Sequence, residues 1–307
     1  MALALSPELE RELKRSRRRP ARKRAKASTA VSPPSAALVT PGPEAPLSFP
    51  APVMGRHAFL RELHERLRPR NYLEIGVNLG RSLGAASCPS VGVDPGYRIT
   101  ADITCPVRLY RTTSDDYFES NDPRDVFGGQ PVDLAFIDGM HLSEFVYRDF
   151  VNVERVCGPA SVVVLDDMLP RDVDEAARDR HSGAWAGDVY KVAEILRRRR
   201  PDLVLIELNT EPTGTVLVLG LDPESDGLAA AYDSELDYLL APDPQQVPSQ
   251  VLNRERAIDP AQALASSIWS ELAELRDQEV RPDRVATIVR ESALLTARPV
   301  APIAASD

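Results

Sequence analysis

A doubly wound α/β fold, in which helices cover both faces of a mostly parallel sheet, is predicted by three features of this sequence. Apolar runs of strand length occur at 71–77, 90–94, 107–112, 132–137, 160–165, 202–208 and 214–220. Helix-spaced apolar residues separate several of them, as βαβ alternation requires. Two runs, "DLAFI" and "SVVVL", are apolar on both faces, as parallel strands buried between two helical layers must be.

The elements follow in order. Residues 1–53 read as a disordered basic and Pro-rich tail. The first 30 residues hold ten Lys or Arg against three Glu, whereas the whole chain carries −9, so the body is acidic. A basic run such as 11–26 could touch RNA, DNA or an anionic membrane. It has no interleaved aromatics and no attached folded module, which makes it a solvated tail, and the acidic body argues against nucleic acid as the main partner.

In "MGRHAFLRELHERL", Phe59, Leu60, Leu63 and Leu67 share one helical face, and Pro69 ends the pattern. This is a lead-in helix, with His57 and His64 expected at its surface. Later helical patterns place Val146, Phe150, Val153 and Cys157 on one face, and Val189, Val192, Ala193 and Leu196 on another. Only the last two strands, joined by "NTEPTG", are close enough for an antiparallel hairpin, because a parallel link needs about a dozen residues.

Residues 54–221 thus form the α/β body and 222–307 a helical C-terminal extension. Its first pattern is Leu228, Tyr232, Leu236 and Leu239. A second, Leu264, Ile268, Leu272 and Leu275, is begun by Asp259 and Pro260 as cap and first residue. A third has Val285, Ile288, Val289 and Leu295.

Cys88, Cys105 and Cys157 have no CxxC spacing and are odd in number, so a reducing cytoplasm is expected. No apolar run has signal-core or membrane-span length. The chain is compatible with a homo-oligomer and does not specify one.

In an open parallel sheet, ligands bind beyond the carboxyl ends of the strands. The first of these ends carries "LEIGVNLGRS", with Glu74, Gly76, Gly80 and Ser82. The glycines let backbone turn sharply against a ligand, but the GxGxxG spacing of a dinucleotide site is missing, which disfavours NAD. Asp94, in "VGVDPG", follows about 20 residues later, where a carboxylate can accept hydrogen bonds from two ribose hydroxyls. As an Asp-Pro pair it also reads as a turn former. Ser114 and Asp115, in "YRTTSDDYF", can cap the next helix or bind a base edge. Together these residues favour a nucleoside ligand.

The fourth strand delivers Asp138, followed by Gly139 and His141; the fifth delivers Asp166 and Asp167, 28 and 29 residues after Asp138. Three carboxylates on one rim repel unless protons or a hard cation such as Mg²⁺ or Mn²⁺ intervene. Successive strand residues face opposite ways, so Asp166 and Asp167 share an ion only if the strand is already turning. His141 titrates near neutrality and can take a proton from a substrate hydroxyl; a satisfied histidine at a helix entry is the plainer reading. Trp185 and Tyr190, in the segment 168–190, either stack on a substrate or pack that segment down.

"LEIGVNLGRS", "VGVDP", "TSDDYF", "LAFIDGMH" and "VVVLDDM", in this order, resemble the class I S-adenosylmethionine-dependent methyltransferases, and most of all the small-molecule branch with macrocin-type and catechol-type O-methyltransferases. The resemblance covers about residues 55–221 and implies a seven-stranded sheet ending in an antiparallel strand. It implies that Glu74, Gly76 and Gly80 line the cofactor's amino-acid end, Asp94 its ribose, and Ser114 with Asp115 its adenine. Asp138, which also lies beside the cofactor, falls with Asp166 and Asp167 where metal-dependent members hold Mg²⁺. His141 falls where catechol-type members carry a lysine base. The branch usually has Asn at the position of Asp167.

The expected activity is methylation of a hydroxyl on a small molecule: a sugar, a polyketide or a phenol. A catalytically inactive binding or regulatory protein on the same fold, and a metal-dependent hydroxylase using iron at the rim, are the alternatives.

Overall fold

The computed structural model describes residues 54–292 and residue 294. The basic tail 1–53 and Leu295 lie outside them. Helix α1 (Arg56–Leu67) leads into β1 (Tyr72–Ile75), and a short 3₁₀ turn (Leu83–Ala85) precedes β2 (Ser90–Val93) and β3 (Val107–Tyr110). Then come α2 (Ser114–Ser120), α3 (Pro123–Val126), β4 (Val132–Ile137), α4 (Ser143–Val156), β5 (Cys157–Leu165), α5 (Tyr190–Arg199), β6 (Val204–Leu208) and β7 (Thr215–Leu219). Five helices follow: α6 (Gly227–Leu239), α7 (Ser249–Leu252), α8 (Pro260–Leu264), α9 (Ile268–Leu275) and α10 (Pro282–Glu291).

The strands form one sheet in the order β3-β2-β1-β4-β5-β7-β6. Strand β7 is antiparallel to both of its neighbours, and the other pairings are parallel. The β6–β7 link is the hairpin that its length requires.

Alternation along the strands divides the core in two. Ala135 and Ile137 of β4 join Val146, Phe150 and Val153 of α4 and Val192 and Leu196 of α5 on one face. Leu134 and Phe136 join Phe59, Leu60, Leu63 and Leu67 of α1 on the other. Burying each such side chain contributes about 1.5–3 kcal/mol, which holds both helical layers to the sheet.

The C-terminal helices complete these same two layers. Leu228, Tyr232 and Leu239 of α6 belong to the α4 and α5 face. Leu264, Ile268, Leu272, Val285 and Val289 cover the α1 face. The pattern from Leu264 to Leu275 is two helices rather than one. The indole N–H of Trp269 donates to Ala263 O at 2.9 Å, and Ser266 Oγ accepts from Ile268 N–H, so side chains take groups that a continuous helix would use. His64 is a second departure: it is buried edge-on against Tyr72 rather than exposed, and burial pushes its imidazole down to about 4.

Because β4 is parallel to β1 on one side and β5 on the other, the carboxyl ends of all three open on the same edge. No helix among the described residues is long and apolar enough to cross a membrane, and the three cysteines are free thiols.

Candidate active site

At that edge lies a cavity of about 930 Å³, within the range of small-molecule sites. The β1 end turns there through Gly76, whose φ is +90° and where a Cβ would lie 1.9 Å from the Asp138 carbonyl oxygen. Only glycine fits so close an approach with positive φ. The turn brings the β1 and β4 ends together, so the glycine bend and Asp138 share one wall.

Asp94 lines the cavity, as expected. Its Oδ2 accepts from Asn78 N–H at 2.7 Å and its Oδ1 from Gly96 N–H at 2.6 Å. The turn-forming reading holds, and the two backbone bonds leave lone pairs on the carboxylate free for a ligand.

Ser114 and Asp115 also line the cavity, but Thr113 caps α2, accepting from Asp116 N–H, and the two residues occupy its first turn. The Asp115 carboxylate is gripped by Arg148 at 2.9 and 2.6 Å, a fork that spends part of its hydrogen-bonding capacity. Beside them stands Asp149, fully buried, hydrogen-bonded to Ser114, with its carboxyl pushed by burial up to about 7.

Glu74 and Gly80 lie outside the lining. Glu74 shares a strand face with Tyr72, two residues earlier, and so points into the α1 layer. It accepts there from Tyr72 Oη–H and Ser82 Oγ–H, both at 2.7 Å. Burial pushes it up to about 8 against those two bonds. Gly80 faces Ile99.

The rim of β4 and β5 differs from the expected trio of carboxylates in one member. Asp167 has φ +61°, so the chain is already turning when β5 ends, and its carboxylate swings toward Asp138. His141 Nε2 lies 3.2 Å from Asp138 Oδ1 and 3.1 Å from Asp167 Oδ2. These three side chains offer ligand atoms all within 4.8 Å of one another. Asp166 is not among them: it faces the other way, is buried, and its Oδ2 lies 2.9 Å from Arg56 Nε. Burial first, then Asp167 and Asp138, hold the Asp166 carboxyl well above the usual range.

His141 is locked from behind. Its Nδ1 lies 2.9 Å from the Trp185 carbonyl oxygen, which can only accept, so Nδ1 carries a proton and Nε2 faces the carboxylates. The Trp185 ring stacks on the imidazole at 5.0 Å, tilted by 14°, and its own N–H donates to Ala177 O at 2.6 Å. Trp185 thus packs the segment 168–190 down while still lining the cavity; Tyr190 is in the core. Gly187 permits the contact, since a Cβ there would lie 1.8 Å from His141 O. Arg178 bonds Asp188 at 2.6 Å and Glu144 at 2.7 Å, tying the segment to the start of α4.

Burial opposes a charged His141, but Asp138, Asp167 and the Trp185 carbonyl outweigh it and push the imidazole up to about 9. Without another cation at Nε2, the ring is therefore protonated at neutral pH. Asp167 is pushed by burial up to about 6, with His141 and Thr213 working the other way.

These three side chains could hold a divalent cation. Asp167 Oδ2 is buried with no hydrogen-bond partner.

Two participants gave no sequence signal. Arg56 is the first residue of α1, with guanidinium nitrogens 3.8 Å from both Asp138 Oδ2 and Asp167 Oδ1. Thr213, in the β6–β7 turn, donates its hydroxyl to Asp167 Oδ1. Both reach the rim only through the tertiary fold.

Residues 73–168 match a family described as a methyltransferase domain. Among solved structures, the chain is similar to an O-methyltransferase from Bacillus cereus in complex with S-adenosylhomocysteine, at 16% identity and TM-score 0.40 over 57% of this chain and 84% of that one. It is similar to the S-adenosylhomocysteine-bound methyltransferase PaMTH1 of Podospora anserina, at 13% identity and TM-score 0.41 over 53% and 77%. It is also similar to the O-methyltransferase TomG of Streptomyces achromogenes, involved in tomaymycin synthesis, at 22% identity and TM-score 0.37 over 52% and 78%. No curated protein sequence matches the chain. The segment that resembles a methyltransferase domain runs from the first strand through the turn after the fifth, about a third of the chain, and contains the β1, β4 and β5 ends that line the cavity.

Proposed function

We propose that the chain methylates a hydroxyl oxygen of a small molecule, with Asp138, His141 and Asp167 holding a divalent cation beside the reacting atoms. The observation that carries this reading is the convergence of these three side chains on the cavity that Asp94 and the Gly76 bend also line. Asp94 would receive the ribose hydroxyls, and Ser114, with Asp149 behind it, the adenine edge. S-adenosylmethionine supplies an electrophilic methyl carbon, and a bound cation would lower the pKa of the acceptor hydroxyl.

The chain's own residues do the rest. Asp138, which lines the cavity, would accept the hydroxyl proton as the oxygen attacks the methyl carbon in line and the sulfur is released with its electron pair. His141, placed by sequence as the base, is better suited to hold the cation: Nε2 is wedged between two carboxylates and its Nδ1 proton is committed to Trp185 O. The stacked Trp185, with Arg180 and Ala184 of the tethered segment 168–190, would form the wall against which the acceptor is held.

Incubation with methyl-labelled S-adenosylmethionine and a panel of catechols, hydroxybenzoates, sugars and polyketide phenols tests the reading. Label should appear on a hydroxyl oxygen, and Asp138→Asn should abolish transfer while S-adenosylhomocysteine still binds. Label on nitrogen or carbon, or undiminished transfer by Asp138→Asn, contradicts it.

A further inference from the structure

The acidic rim already contains a cation of its own. Arg56 places Nε 2.9 Å from Asp166 Oδ2, and its terminal nitrogens lie 3.8 Å from Asp138 Oδ2 and 3.8 Å from Asp167 Oδ1. One guanidinium therefore spans the three carboxylates that the β4 and β5 ends deliver.

Its backbone is fixed. Arg56 N–H donates to Glu211 O at 3.1 Å, Glu211 N–H donates to Met54 O at 3.0 Å, and Gly55 bridges to Glu211, so α1 starts pinned to the β6–β7 turn. The side chain is held more loosely. Arg56 Nε and Asp166 Oδ2 are both buried and close, yet neither has an aligned hydrogen bond. A guanidinium that serves as a permanent strut normally forks two hydrogen bonds onto a carboxylate, as Arg148 does on Asp115. Arg56 instead neutralises charge without being locked to any one oxygen.

We propose that Arg56 is a built-in counter-cation that holds Asp138, Asp166 and Asp167 together before an ion arrives and keeps the affinity of the Asp138–His141–Asp167 group for that ion low. This rests on the divalent-cation reading above. Removing the guanidinium takes one positive charge from the rim, so an ion at the Asp138–His141–Asp167 group would be drawn in more strongly. The guanidinium lies within a few ångströms of any ion at the group, where repulsion even at water-like dielectric corresponds to about ten-fold in affinity, and to more in a partly buried site. Arg56 is thus a positioning residue, and its position before the matched segment, at the first turn of α1, separates this control from the strands that carry the ligands.

The test is Mn²⁺ alone, titrated into the full chain and followed by the electron paramagnetic resonance signal of the free ion. The wild type, Arg56→Gln, Arg56→Lys and Asp167→Asn are compared, with folding checked by thermal melting. Arg56→Gln should bind Mn²⁺ at least about ten-fold more tightly than the wild type, and Arg56→Lys, which keeps the charge, should stay within about three-fold of it. Asp167→Asn should lose binding. Without ion, Arg56→Gln should melt below the wild type and recover on saturation with Mn²⁺. Equal or weaker binding by folded Arg56→Gln, with Asp167→Asn still inactive in binding, overturns the role of Arg56 and leaves the cation site standing. Absence of Mn²⁺ binding in both the wild type and Arg56→Gln overturns both.

Discussion

Replacing Asp94 tests the nucleoside end of the cavity with a magnitude that the structure sets. Each carboxylate oxygen is already fixed by one backbone N–H, from Asn78 at 2.7 Å and from Gly96 at 2.6 Å. A ribose diol would add two further hydrogen bonds to the same charged group, each worth about 1.5–3 kcal/mol. Asp94→Asn keeps the size, removes the charge and replaces one acceptor by a donor facing a backbone N–H. Losing the equivalent of one charged bond weakens S-adenosylhomocysteine binding by about ten-fold to about 150-fold. Asp94→Ala should lose at least as much and also lower the melting temperature, since both turn bonds vanish. Isothermal titration with S-adenosylhomocysteine reads the affinity and a thermal melt reads the fold. An affinity within two-fold of wild type in folded Asp94→Asn would refute the placement of the ribose.

Glu74 gives a pH signature. Its folded carboxyl is pushed up to about 8 from an ordinary 4.5, so the folded state binds a proton that the unfolded chain releases between those values. Stability from this group is complete below about pH 4.5 and is lost as pH rises through 8. Glu74→Gln should therefore match wild type near pH 5 and gain on it by a few kcal/mol near pH 9 in urea melts; an advantage that does not grow with pH would show that Glu74 is not held neutral. Trp185→Leu removes the ring stacked on His141 but keeps the carbonyl that fixes Nδ1. Mn²⁺ affinity should fall by about 10-fold, at the low end of such supporting contacts, with S-adenosylhomocysteine affinity unchanged in parallel titrations; unchanged Mn²⁺ binding would remove Trp185 from the support of His141. Phe150→Ala, at the centre of the α4 face and fully buried, should cost about 3–5 kcal/mol in denaturant melts, and a loss below about 1 kcal/mol would contradict its place in that core.

The sheet was legible because each strand had to be a short apolar run, and because "NTEPTG" is too short for anything but a hairpin. The helices after β7 were legible as helices, but not their destination: spacing gives a helix an apolar face and says nothing about which layer receives it, so α6 and α8 to α10 could not be sent to opposite faces. Asp94, Asp138 and Asp167 stand at strand ends, where that rule looks, and all three line the cavity. Glu74 lies outside the cavity lining because it sits one residue before the strand ends, where alternation turns its carboxylate into the α1 layer. Asp166 and Asp167 could not be separated in advance, since the answer depended on a left-handed φ at Asp167. Arg56 and Thr213 arrive from elements remote in sequence, and no local pattern points to them.

A structure of the full chain with S-adenosylhomocysteine bound tests the central claim most directly. The ribose hydroxyls should rest on Asp94, the purine near Ser114, and the sulfur should lie over the Gly76 bend with its open side toward Asp138, His141 and Asp167. A ligand seated outside this cavity, or one whose sulfur faces away from those three side chains, would contradict the account.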